Sequence, residues 1–176
     1  LSETQSRPII RELSELALLK LGAKPFHVLI PTPPQSVKIP VRSTGATDVI
    51  GESKSVVKAL SATSFIVDCT VEGMLHAKEL PTILQAGSRI LMISNEHPEA
   101  LERLEPDDEL EKRVKSGIKL LRNAENMFVK SEAGTDLHIR LADSSVGGGW
   151  GYVTRAGLIS HWPGGLCLCF PAAQSV

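Results

Sequence analysis

The chain has 176 residues, with 19 basic and 20 acidic side chains, and 42% of its residues are hydrophobic. A chain of this length can bury about 70% of its unfolded surface, so a folded core is expected and disorder is excluded. A net charge of −1 and a pI near 6.6 argue against a nucleic-acid or membrane-surface partner, and apolar runs such as Phe65–Val67 and Ile90–Ile93 are too short to span a bilayer.

The aromatic fraction is only 4%, yet Trp150, Tyr152, Trp162 and Phe170 all fall late in the chain. The sequence opens on Leu1 and stops at Val176 just after an apolar stretch, which reads as a piece of a longer protein. Three cysteines do not complete a disulfide framework, and none shows C-x-x-C spacing. Cys69, Cys167 and Cys169 are expected to be buried reduced thiols in strands, and a cytoplasmic location follows.

In chain order, Ser6 and Pro8 open a helix whose stripe is Ile9, Leu13, Leu16 and Ala17, with Gly22 as its stop. Phe26–Ile30 reads as a buried strand, and residues 35–52 as an irregular excursion rich in Ser, Thr, Gly and Pro. Ser53–Leu60 is helical, Ser64–Cys69 a strand, Glu79–Ala86 a helix and Arg89–Ser94 another strand. Pro106 opens a helix with acids first and bases last, complementing its dipole, and Leu110, Val114, Ile118 and Leu121 form its buried face.

After Met127 the texture changes. Thr135–Leu141 alternates polar and apolar, Gly147–Gly151 reads as a glycine-rich loop, and Leu166–Phe170 is apolar. The expected fold class is therefore α/β: a parallel sheet flanked by helices in βαβ units, passing into a mixed or antiparallel β region after about residue 130. Two domains are expected, an α/β domain over 1–130 and the start of a β-rich catalytic domain over 131–176.

Ligands of open parallel sheets bind outside the carboxyl ends of the strands. That rule points to the loop holding Asp68, Glu72 and His76, and to the loop holding Asn95, Glu96 and His97. A carboxylate and a histidine on each could act as acid/base groups or metal ligands. For His97 a structural account is also complete: Ser94 or Asn95 caps a helix that Pro98 opens, and Glu96 and Glu99 favour its positive end.

Strand alternation puts Asp136, His138 and Arg140 on one face, either a shared site or a solvated surface. His161-Trp162-Pro163-Gly164-Gly165 sets an imidazole and an indole beside backbone open to close approach. A pocket for a planar molecule and an aromatic cluster packing a loop both explain it. The sequence has no H-E-x-x-H, phosphate-loop, dinucleotide or G-x-S-x-G motif, and no complete metal site is assigned.

Val71-Glu72-Gly73-Met74-Leu75-His76 after a strand, then Gly134-Thr135-Asp136-Leu137, then His161-Trp162-Pro163-Gly164-Gly165, resembles in order and spacing the front half of one superfamily. It contains the 2,5-dihydroxypyridine 5,6-dioxygenases and, more distantly, the thermophilic-type leucyl aminopeptidases. The resemblance runs from Glu3-Thr4-Gln5-Ser6 to Phe170-Pro171. The aminopeptidases usually have a metal-binding glutamate directly after the Pro-Gly-Gly turn; Leu166 stands there in this chain, which favours the dioxygenase side.

The resemblance implies a non-haem Fe(II) enzyme that opens the ring of a dihydroxypyridine or a related aromatic with O₂. Its iron ligands are expected beyond Val176, so the 176-residue piece alone is expected to be inactive. It also implies His76 and His161 as polar or acid/base contacts to the substrate, Trp162 as a pocket wall, and Gly164, Gly165, Glu72, Asp136 and His138 as further substrate-side residues. The loop 147–151 lacks the carboxylate usual in the dioxygenases. A homo-oligomer is expected. The alternatives are a metallo-aminopeptidase relative and a non-catalytic α/β module that binds a small ligand.

Overall fold

The computed structural model describes residues 1–32, 50–51, 53–71, 73–94 and 96–173. Glu72, Asn95 and nearly all of the excursion expected over 35–52 lie outside them. The elements run β1 (Ser2–Glu3), α1 (Pro8–Lys20), β2 (Leu29–Ile30), α2 (Lys54–Ser61), β3 (Phe65–Asp68), α3 (Leu80–Gln85) and β4 (Arg89–Ile93). There follow α4 (Pro98–Glu102), α5 (Asp108–Asn123), β5 (Asn126–Lys130), β6 (Asp136–Arg140), β7 (Ser145–Gly149), β8 (Ile159–Trp162) and β9 (Leu166–Phe170).

These elements form two compact units, residues 1–105 with 151–163, and residues 106–150 with 164–176. The chain leaves the first unit after Glu105 and returns to it at Gly151.

The first unit is built on parallel strands. β1 pairs with β2, β3 with β4, and β4 with β8, all parallel. Leu1 donates to the Val67 carbonyl at 2.9 Å and accepts from the Cys69 amide at 2.9 Å, a parallel bridge that sets β1 beside β3. The strand order is thus β2-β1-β3-β4-β8, and every carboxyl end faces one edge.

Alternation sorts the side chains between the two faces. One face carries Ile66, Ile90 and Met92, packed with Leu60, Met74, Ala77, Leu80 and Ile83 from α2, α3 and the turn before α3. The other carries Ile93 with Ile10 of α1, Leu101 of α4 and Cys69, joined by Val67, Leu91 and Trp162. Met74, Ile83 and Ile90 have no exposed surface; each contributes about 1.5–3 kcal/mol by leaving water. Helices on both faces explain why β3 and β4 read as continuous apolar runs.

In the second unit, β5 and β6 form one antiparallel hairpin, and α5 packs on the antiparallel pair β7–β9. The α5 cap is Asp107, whose carboxylate accepts from the Leu110 amide at 2.7 Å, so the helix starts two residues later than Pro106 implied. Val114 is its buried anchor.

Several expectations are corrected. Gly147–Gly149 belongs to strand β7, not to a loop: a Cβ at Gly148 would collide with the Leu166 carbonyl and lie 2.9 Å from Ile118 Cδ1. Glycine stands there because helix and partner strand come too close for a side chain. Of Phe26–Ile30 only Leu29–Ile30 is strand, since β1 offers just two residues to pair with, and Phe26 is exposed. His97, not Ser94 or Asn95, is the cap position of α4, and its side chain makes no capping bond. Cys69 is buried, but Cys167 is exposed and Cys169 half-buried, because β9 lies in a two-stranded ladder. Among the described residues no helix is long and apolar enough to cross a membrane.

Candidate active site

The carboxyl edge of the parallel strands gathers the polar groups of the first unit. Register sets Asp68 opposite Met92, and Met92 opposite His161. All three point to the face of the Ile66–Ile90 core, as does Ile159 two residues before His161. Asp68 and His161 are two strands apart, about 10 Å between backbones. His161 was read as part of a turn; it is a strand residue in the central sheet.

His161 is half-buried, and its Nδ1 lies 3.1 Å from the Pro163 carbonyl oxygen. A carbonyl can only accept, so Nδ1 carries the hydrogen. In the neutral ring that leaves Nε2 as the acceptor, fixed in orientation by the strand.

His76 sits in the turn after β3. Met74 and Ala77 on either side of it are buried in the core of that same face, so the turn is folded down and the imidazole between them is exposed. Among the described residues His76 has no hydrogen-bond or ion-pair partner, which leaves both ring nitrogens open to a ligand. Glu72 lies outside the described residues.

The turn rests on a buried polar platform, of which the strand-end rule pointed to Asp68 but not to Glu3 or Thr70. Asp68 is 1% exposed. Its Oδ1 accepts from the Thr70 amide at 3.0 Å and the Thr70 hydroxyl at 2.7 Å, and its Oδ2 from the Met74 amide at 2.7 Å. Burial pushes the Asp68 carboxyl above its ordinary range, with the Thr70 and Met74 donors opposing. Glu3, also 1% exposed, accepts from the Val71 amide through Oε1, while its Oε2 has no hydrogen-bond partner among the described residues. The turn-holding role of Asp68 has a signal of its own, Asp-x-Thr at a strand end, the pattern of an Asx turn. Glu3 sits in a two-residue strand with no periodicity to read.

Trp162 departs from the expected common pocket with His161. As the next strand residue it faces the other way, pairing with Ile93 and donating from Nε1 to the Leu104 carbonyl at 2.8 Å. There it walls an apolar hollow of about 710 Å³ shared with Leu13, Val67, Leu91, Ile93 and Leu101. His161 does not line that hollow. Gly164 follows Pro163 in the chain, and the Gly165 amide donates to the Gly149 carbonyl at 2.8 Å, which ties the turn to β7.

Asp136 and His138 belong to the second unit, on exposed positions of β6. His138 stacks on Phe128 with ring centroids 4.5 Å apart and bonds Asn126 through Nε2 at 3.0 Å. Asp136 pairs with Lys130 at 3.3 Å. Each thus has a local partner across the β5–β6 hairpin. His97 is exposed and 3.9 Å from Glu99. Among the described residues no three His, Cys, Asp or Glu side chains converge to hold a metal, so these residues do not fit an iron ion.

Comparison with known proteins agrees with the fold. The chain is 35% identical over 118 residues to the 2,5-dihydroxypyridine 5,6-dioxygenase of Pseudomonas putida KT2440, covering 67% of this chain and 33% of that protein. Its fold is similar to the solved structure of 2,5-dihydroxypyridine dioxygenase from the same organism, with a TM-score of 0.83 and 28% identity, covering 97% of this chain and 49% of that one. The chain therefore spans half the length, or less, of these relatives. Residues 1–176 match the family described as 2,5-dihydroxypyridine 5,6-dioxygenase over their whole length. The chain belongs to the 2,5-dihydroxypyridine 5,6-dioxygenase family.

Proposed function

We propose that this chain is the substrate-side part of a ring-cleaving dioxygenase acting on a dihydroxypyridine or a closely related hydroxylated aromatic, with O₂ as co-substrate. The observation that carries the activity is the family match over the whole chain. The geometry supports the following roles. His161 presents a lone pair on Nε2, because Nδ1 is engaged by the Pro163 carbonyl; it accepts a hydrogen bond from one ring hydroxyl and orients the ring. His76, exposed and unpartnered among the described residues, takes the proton of the second hydroxyl. An imidazole within hydrogen-bond reach of a hydroxyl is a competent proton acceptor.

Trp162 supports this edge from the opposite face, and Gly164 and Gly165 keep the turn after Pro163 free of side chains. Glu72, Asp136 and His138 are not assigned a role at the ring. Ring opening by O₂ calls for a metal, and Fe(II) is the proposed one; it would lower the barrier to joining O₂ and the ring. Its ligands are not among the described residues, so no step is derived through it. The proposed setting is cytoplasmic, where Cys69, Cys167 and Cys169 remain free thiols. A homo-oligomer is part of the proposal, supported by Leu166, Leu168 and Phe170, which are exposed on β9.

The test uses the complete gene product, loaded with Fe(II) without oxygen, mixed with 2,5-dihydroxypyridine and then with O₂. Loss of the ring absorbance supports the proposal. An unchanged spectrum, with hydrolysis of an amino-acid anilide by the metal-loaded protein, supports the aminopeptidase alternative instead.

A further inference from the structure

We infer that Asp68 and Thr70 are positioning residues for His76: a buried carboxylate and hydroxyl that touch no substrate but set where that imidazole stands. The inference rests on the proposed role of His76. Among the described residues the turn after β3 is held largely by side chains. Asp68 holds it at both ends, taking the Thr70 amide and hydroxyl on one oxygen and the Met74 amide on the other. The Thr70 hydroxyl passes its own lone pair on, accepting from the Gly73 amide at 3.0 Å. Glu3 adds a third tether at the Val71 amide.

Gly73 closes the bend at φ +74°, and a Cβ there would lie 2.7 Å from Met92 Cε, so the turn is pressed against the sheet. Met74, fully buried, and Ala77, 4% exposed, then clamp the two sides of the Leu75–His76 pair. His76 is thus two residues beyond the last Asp68 bond and one before a buried alanine. Asp68 accepts three hydrogen bonds, all from the turn itself, and is closed to solvent. Its geometry serves the turn and no ligand. A displacement of about 1 Å in a catalytic group can cost up to 10²-fold in rate, so such tethers are read out in turnover.

The experiment is a double-mutant cycle on the complete iron-loaded enzyme. Thr70→Val removes the hydroxyl at nearly constant volume, and Thr70→Ser keeps it. Thr70→Val should lower kcat about tenfold with KM little changed and the thermal midpoint down by a few degrees, as for any lost buried hydrogen bond, and Thr70→Ser should restore turnover to within about twofold. In the His76→Ala background, Thr70→Val should cost less than about twofold more, because the group it positions is gone.

Asp68→Asn supplies a second reading of the same coupling, since an amide must turn one N–H donor side toward a donor of the turn. A full tenfold loss from either variant in the His76→Ala background overturns the inference, as does unchanged turnover in Thr70→Val. Unchanged turnover in His76→Ala alone overturns the role of His76, and the inference with it, and is recognised without the second substitution.

Discussion

His161 and Trp162 are adjacent in sequence and stand on opposite faces of the parallel sheet, His161 in line with Met92 and Asp68, Trp162 against Ile93. One peptide therefore serves two environments. The imidazole shares its face with Met92 and Asp68, and the indole closes an apolar hollow bordered by α1 and α4.

The two should separate by measurement. His161→Ala is expected to lower turnover of the complete enzyme by 10²-fold or so, the typical contribution of a positioned proton-transfer group, with a thermal midpoint within about 2 °C of the parent. Trp162→Ala is expected to lose about 2 kcal/mol in denaturant unfolding, less than a fully buried indole because the ring is half-buried. Its KM should stay near that of the parent. A large rise in KM for Trp162→Ala without loss of stability would return the indole to the substrate pocket.

Gly148 and Gly147 offer an internal comparison in one strand. Gly148→Ala must push against the Leu166 carbonyl and Ile118, whereas a Cβ at Gly147 meets nothing within 4 Å. Gly148→Ala should destabilise by about 2–3 kcal/mol, and Gly147→Ala should be neutral or slightly stabilising. Equal midpoints in urea for the two variants would contradict the close packing of α5 on β7.

Cys69 makes stability depend on alkaline pH. Burial pushes its thiol above the ordinary value, with the Ser14 hydroxyl opposing. Below the ordinary thiol pKa of about 8.5 both folded and unfolded chains hold the proton and its contribution is complete. As pH rises above that value the unfolded chain loses its proton first, so stability falls until the folded thiol also ionises. The thermal midpoint is expected to drop between about pH 8.5 and 10 more steeply than in Cys69→Ala. Parallel profiles for the two proteins would remove Cys69 as the cause.

Asp107 is the exposed cap of the longest helix. Asp107→Ala should cost about 1 kcal/mol and Asp107→Ser only a few tenths, measured by urea unfolding.

Much of this architecture was legible in the residues. Phe65–Asp68 and Arg89–Ile93 announce themselves as strands because both faces are covered, and α5 because its charges follow the dipole. Strand β8 was not legible: Ser160 and His161 are polar, and four residues give too little alternation to tell strand from turn. Strand β7 was hidden for another reason, since glycine carries no side chain to show a period. Of the candidate site, His76 and His161 were found from their loops and neighbours. Glu3 and Thr70 were not, because a buried polar residue bound to backbone looks in sequence like any surface residue.

The chain leaves the sheet after Ile93 and comes back to it only at Ile159, with residues 94–158 between. Closing so long an excursion costs about 3–4 kcal/mol of chain entropy, and doubling its length would add only about 0.6 kcal/mol. The exposed turn at Ala142 and Asp143, between β6 and β7, should therefore accept a few added residues at little thermodynamic expense, while the β4–β8 register keeps His161 beside Met92.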